Sequence, residues 1–370
     1  MTNYRSVPFF NYPALFAERG EAYVDTMRDV MSRGAFIMQK DLVQFEDELA
    51  EFLGCRHVIG VADGTVALTL SLKAAGIGDG DEVIVSTHTF IATAAAIHHV
   101  GATPVICDCL PDSMMDPASA ELMISDKTRA LMPTQLNGRT SDMHALGALA
   151  AKHNLKIVED SCQALGATFD GTQAGLFGIA GSYSFFPAKT LGCFGDGGAI
   201  STNDDDAAQL IREMRDHGRG ADGKVRRFGH NGRLDNIQAA VLRLKLAHYS
   251  DAIARRREIA SRYQAGLADV AQLQLPPAPD SDPLRFDVFQ NYEIQAENRE
   301  GLRQHLTANG VGTIIQWGGW MLHQFDDLGL RTHAPYAENM VQRYMMLPLH
   351  HMLPDDDVDY VIEQVRAFFN

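Results

Sequence analysis

The chain has 370 residues, 46% hydrophobic and 21% charged, with a formal net charge of −15. That length suits one large α/β unit with a smaller one, and such acidity excludes nucleic acid or an anionic membrane surface as the main partner. Five cysteines without zinc spacing, no apolar leader behind Met1–Arg5 and no run of membrane-spanning length are the pattern of a soluble cytoplasmic protein with reduced thiols and no metal.

In chain order, Ala14 to Met31 reads as one amphipathic helix with Leu15, Val24, Met27 and Val30 as apolar positions, ended at Arg33-Gly34. Asp41 to Leu53 reads as a second helix, stopped by Gly54. Val58–Val61 is a strand candidate, followed by Ala62-Asp63-Gly64-Thr65 and a helical run from Val66 to Ala75. A strand, a small polar turn and a helix start make an anion site, because free amides and the helix dipole converge there. A plain N-cap by Asp63 or Thr65 fits the same residues.

Further strands are predicted at Asp81–Ser86, Thr103–Asp108 and Arg129–Thr134, and a helix from Asp142 to His153. Phe90 falls where the first of these strands gives way to a helix, as core or as a plate for a flat ring. Leu155–Asp160 is an apolar strand ending in two acids, Glu159 and Asp160, with Gln163 three residues on. At the carboxyl end of a parallel strand such an acid faces the ligand crevice. It could equally cap the next helix.

Gly181–Phe186 is β-prone, then Pro187 and Ala188 lead to Lys189, and Gly192, Gly195, Gly197 and Gly198 open the way to a strand at Ala199–Thr202. No acid lies between Gly181 and Gly195. A lysine on a rigid edge without a carboxylate partner can be a free amine for covalent chemistry. Lys189 is therefore read as forming a Schiff base with pyridoxal phosphate, against the plainer reading of a surface lysine.

Beyond it, Asp204–His217 is helical, Phe228–Asp235 is a polar loop, and helices run from Ile237 to Tyr249 and from Asp251 to Leu267. The C-terminal part reads as strand Phe286–Ile294, helix Asn298–Asn309, strand Val311–Ile315, helix Pro335–Met345 and helix Asp355–Phe369. The expected organisation is a large cofactor-binding unit over 1–246 and a small α+β unit over 247–370. Ile314–Trp320 could line a sugar or base pocket or fill the junction, and the pairs His98-His99 and His350-His351 read as surface or core residues.

Taken together, the ordered motifs Asp63-Gly64-Thr65, Thr89-Phe90, Glu159–Ala164, Ser184–Lys189, Gly195–Gly198 and Asn231–Asp235 resemble the DegT/DnrJ/StrS-type sugar aminotransferases. The likeness runs from about Arg33 to Leu246 and more loosely to the end. It implies the aspartate-aminotransferase-like fold, α/β with a mixed, mostly parallel sheet flanked by helices, and pyridoxal 5'-phosphate as cofactor. It implies Lys189 and Asp160 as catalytic residues, Asp160 pairing with the pyridine nitrogen. Gly64, Thr65 and Ser184 would hold the phosphate, Phe90 would stack on the ring, and Gln163 would lie by the 3-hydroxyl. Asn231 would reach the phosphate from the other subunit of a homodimer, and Arg233 would stand near the donor or sugar pocket. The chain departs from the family in having Asp63 where serine is common and Thr190 where asparagine is common. Because the lysine is present, transamination is expected, from glutamate to a nucleotide-linked keto-deoxysugar, 4-keto before 3-keto, in amino-sugar biosynthesis. The alternatives are a non-catalytic regulatory protein that binds the cofactor and a sugar dehydratase.

Overall fold

The computed structural model describes residues 5–369. Met1–Tyr4 and Asn370, the outer ends of the two predicted units, lie outside the described residues. The strands are β1 (His57–Val61), β2 (Glu82–Ser86), β3 (Thr103–Cys107), β4 (Thr128–Met132), β5 (Lys156–Asp160), β6 (Thr168–Phe169), β7 (Thr172–Gln173), β8 (Ala180–Ser184), β9 (Gly198–Thr202), β10 (Leu273–Gln274), β11 (Arg285–Phe286), β12 (Tyr292–Ala296) and β13 (Tyr344–Leu347).

The main sheet has the order β1-β9-β8-β5-β4-β2-β3. Strands β8, β5, β4, β2 and β3 are parallel neighbours, and β9 runs antiparallel to both β8 and β1. This is the mixed, mostly parallel sheet that was expected. Its inner strands β2, β4 and β5 are buried on both faces over most of their length, which is why they read as short apolar runs rather than alternating ones. Helices Gly64–Ala74, Ile91–His99 and Met143–His153 follow β1, β2 and β4 as crossovers.

A second core gathers around β10-β12-β13 and the helices Arg299–Ala308 and Asp355–Phe369. Val7 belongs to this core and forms a parallel bridge with Val311. The N-terminal segment therefore packs on the C-terminal core, which the sequence division did not anticipate. Helix Tyr249–Leu267 serves both cores, with Tyr249 and Ile253 in the first and Ile259, Tyr263 and Leu267 in the second. We propose that the second unit begins near Ala247, with the opening turns of that helix packed back on the first.

Four local readings differ. The first helix is two, Tyr12–Ala17 and Gly20–Ser32, and Tyr23 rather than Val24 is buried with Val30. Phe286–Ile294 is not one strand, because Phe289 has a left-handed backbone, and β11 pairs with β6 while β12 pairs with β13. Val311–Ile315 makes only single bridges. The helix from Pro335 ends at Met340, and the following residues form β13, because the second core needs a third strand beside β12.

Candidate active site

The carboxyl ends of four adjacent parallel strands build one wall. β2 delivers Thr89 and Phe90, β4 Thr134, β5 Asp160 and Gln163, and β8 Ser184 and Lys189. These residues line a cavity of about 780 Å³, together with Asp63, Gly64 and Thr65 from the turn after β1. The sheet order explains why residues so far apart in sequence meet.

Lys189 follows β8 in a tight turn, its N–H donating to the Phe186 carbonyl at 2.8 Å. A side chain at Gly192 would come within 2.6 Å of the Pro187 carbonyl, so only glycine lets the chain close behind the lysine. Gln290 straddles the lysine, accepting from the Thr190 N–H at 2.7 Å and donating to the Ala188 carbonyl at 2.9 Å. Among the described residues nothing hydrogen-bonds the Lys189 amine. Burial lowers its pKa from the ordinary lysine value, against opposing pulls from Cys162 and Asp160. Lowering favours the free amine.

Asp160 is buried. Its Oδ2 accepts from Thr93 Oγ1 at 2.7 Å, and its Oδ1 from the Cys162 N–H at 3.2 Å. Thr134 donates to Thr89 at 2.9 Å, and Thr89 and Thr93 hydroxyls are 2.8 Å apart. With Thr134 donating into the series, the hydroxyl protons all point toward the carboxylate. Thr89 belongs to a sequence motif, but neither it nor Thr93 and Thr134 is linked to Asp160 by the sequence, since nothing marks a threonine as an aspartate's partner until the strands are aligned. Glu159 faces the opposite side of the sheet. It is fully buried and accepts from Gln135, the Gly175 N–H and the Phe177 N–H.

Asp63 caps helix Gly64–Ala74, its Oδ1 accepting from the Val66 N–H at 2.8 Å. The capping and anion-site readings of this turn are thus compatible. The Gly64 and Thr65 N–H groups have no acceptor among the described residues, while Ser184 closes the cradle from β8. A Cβ on Gly64 would lie 3.0 Å from Ser184 Cβ and 3.2 Å from Cys162 Sγ. Gln163 Oε1 accepts from the Asn137 N–H at 2.9 Å and from Asn291 Nδ2 at 3.2 Å, and its Nε2 has no partner among the described residues.

Phe90 is half-exposed at the cavity wall, 6.0 Å between ring centroids from Trp317, which also lines the cavity. Trp317 has a left-handed backbone and is the one residue of Ile314–Trp320 among the residues lining the cavity. Trp320 instead lies exposed beside Phe325. Asn231 is exposed and lies outside the cavity lining, where His230 takes part instead. Arg233 also stands outside, paired with Asp216 at 2.6 Å. Among the described residues no group of three or more His, Cys, Asp or Glu could hold a metal ion.

Pyridoxal phosphate fits this donor set. The Gly64 cradle, with two free amides at the start of a helix and a hydroxyl opposite, suits a phosphate. A desolvated lysine, a buried carboxylate and an aromatic plate surround the space beyond. The fold and the cavity are those of a pyridoxal-phosphate-dependent aminotransferase.

The chain belongs to the DegT/DnrJ/EryC1/StrS aminotransferase family, which it matches over residues 18–366. It is 40% identical over 368 residues to a dTDP-3-amino-3,4,6-trideoxy-alpha-D-glucose transaminase of Streptomyces venezuelae, covering 98% of this chain and 96% of the relative. It is 35% identical over 368 residues to a "pleiotropic regulatory protein" of Geobacillus stearothermophilus, covering 98% and 99%. Three further relatives, at 36%, 35% and 32% identity, have 3-amino, 3-oxo or 3-dehydro sugars in their names. Among solved structures it superposes on S. venezuelae DesV, in complex with a ketimine intermediate, with a TM-score of 0.94, 36% identity and 99% of each chain covered. The protein is a pyridoxal-phosphate-dependent sugar aminotransferase.

Proposed function

We propose that the substrate is a nucleotide-linked sugar with its keto group at C3, and that glutamate is the amino donor. The 4-keto sugar is the alternative the motifs alone would favour. The 3-keto reading is supported by the 3-amino, 3-oxo and 3-dehydro sugars named for the relatives above. The single observation behind the catalytic roles is the placement of Lys189 and Asp160 on adjacent strand ends around one cavity.

When bound, pyridoxal phosphate supplies the electron sink for bond changes at the amino-bearing carbon. The Gly64 and Thr65 amides and the Ser184 hydroxyl hold the phosphate. Phe90 forms one wall against the ring, and Gln163 Nε2 donates to the 3-oxygen. Asp160, anchored by Thr93, keeps a proton on the ring nitrogen by its negative charge. Lys189 would hold the cofactor covalently, and its free amine would move the proton at the reacting carbon as general base and acid. Asn231, exposed on its own chain, completes the phosphate site of the other subunit in a homodimer. Arg233 stands on the same loop, and freeing it for substrate would require Asp216 to give it up.

A panel of UDP- and dTDP-linked 3-keto and 4-keto sugars with glutamate, read by mass spectrometry, tests the assignment. The expected product is the 3-amino sugar. Conversion of the 4-keto sugar alone would reverse the regiochemistry. A regulatory protein that only binds the cofactor would convert none and would not carry out the half-reaction with glutamate.

A further inference from the structure

Gln290 and Asn291 are consecutive residues just before β12, in the second core, yet both reach the cavity wall. Gln290 bonds the peptides on either side of Lys189. Asn291 is buried and donates from Nδ2 to Asn137 Oδ1 at 2.8 Å and to Gln163 Oε1 at 3.2 Å. Gln316 donates to Asn137 Oδ1 as well, and to Glu293 Oε2 at 3.1 Å. His88 and Ser113 complete the far end by bonding Glu293.

This network determines which way the Gln163 amide faces. The Asn137 backbone N–H can only donate, so the Gln163 atom it touches is the oxygen. Asn291 adds a second donor to that oxygen. The amide nitrogen is then left for the cavity, where it offers hydrogens and no acceptor. Turning the amide over would set an NH₂ against an N–H and an NH₂, losing two hydrogen bonds in a buried setting. The loop bearing Asn137 is itself held fast. Asn137 is left-handed, and a side chain at Gly138 would come within 2.6 Å of the Phe289 and Gln290 amides.

We propose that Asn291 is a positioning residue that holds Gln163 as a donor toward the cofactor's 3-oxygen, so that the second core sets a property of the cofactor. The proposal rests on the reading of Gln163 given above. A donor stabilises the negative oxygen that remains after proton loss, and so keeps the pH midpoint of the bound cofactor's visible band low. Asp63, Asp160, Lys189, Asp196, His99 and His230 also line the cavity, and Glu293 with His88 lies behind the network. None of these is altered in the variants, so their contributions cancel in the comparison.

The test is a double-mutant cycle on the cofactor-loaded protein, read by absorbance across pH. Gln163→Leu is expected to raise the midpoint by about one pH unit, a tenfold change. Asn291→Leu should raise it by a similar amount in the wild-type background and by less than about 0.2 unit in the Gln163→Leu background. Independent, additive shifts would show that Asn291 does not act through Gln163 and would overturn the proposal while leaving the Gln163 reading intact. A wild-type midpoint in Gln163→Leu would overturn both. Asn291→Ala carries the same expectation if the leucine variant does not fold.

Discussion

Asp160→Asn keeps the shape of the strand end and removes its charge. The Cys162 N–H can still bond the oxygen of the new side chain, and the NH₂ then faces Thr93, whose hydroxyl can turn to accept from it. The cofactor should therefore still load, with borohydride fixing it to Lys189, while amino transfer falls by at least ~10²-fold as charge stabilisation is lost. Stopped-flow measurement of the glutamate half-reaction checks this, and a near wild-type rate would show that Asp160 is not the acid that supports the reaction. The neighbouring Glu159 is not a silent control, although it faces away from the cavity. Three donors converge on its carboxylate, and glutamine would turn an NH₂ toward one of them. Glu159→Gln should cost about 1–3 kcal/mol of stability, seen as a lower thermal midpoint, with the half-reaction rate within a few-fold of wild type at low temperature.

The helix Gly64–Ala74 is the element on which phosphate binding depends. Its first two amides are free because Asp63 spends its side chain on Val66 rather than on them. Gly64 has no left-handed backbone, so alanine is tolerated by the helix itself. Its Cβ would instead press on Ser184 and Cys162 across the cradle. Gly64→Ala should lower the thermal midpoint of the cofactor-free protein only slightly, because the neighbours at 3.0 and 3.2 Å need give by a few tenths of an ångström. Cofactor affinity, measured by equilibrium titration, should drop by roughly tenfold, the size of one strong phosphate contact. If affinity is unchanged, the phosphate sits elsewhere.

At the scale of the whole molecule, several large apolar side chains stand exposed on a single chain. Phe228 is 102% exposed and Phe36 53% exposed, with Ile37 and Met38 beside the latter in sequence. Asn231 and Phe228 belong to one loop and lie outside the cavity of their own chain, although His230 between them lines it. A two-fold dimer in which this loop enters the neighbour's site accounts for both features. Mixing Lys189→Ala with Asn231→Ala protein should then restore activity, because each mixed dimer gathers both lesions into one site and leaves the other intact. Up to about a quarter of wild-type sites should return for random pairing of equal amounts. Failure of recovery after proven subunit exchange would place the action of Asn231 within its own chain.

The sequence by itself determined the motif order, the strand ends with their acids, and the lysine beyond β8, because each of these is written in a few consecutive residues. Hydrophobic runs and glycine stops are local too, so β1 to β5, β8, β9 and most long helices were legible. What joined them was not. The Thr93–Asp160 bond spans 67 residues and the Asn291–Gln163 bond 128. No periodicity encodes such pairs; the first exists only once parallel strands align their carboxyl ends, the second only once the segment before β12 packs against that edge. The left-handed turns at Phe289 and Trp317 broke one predicted strand and turned an aromatic residue into the cavity. Neither residue type announces that conformation, which costs free energy and is held by the packing around it. The first two residues of β13, Tyr344 and Met345, read as a helix end for a related reason. Tyr344–Leu347 is apolar throughout, so its four residues suit a buried helix end or a buried strand equally, and only the open edge of β12 decided between them.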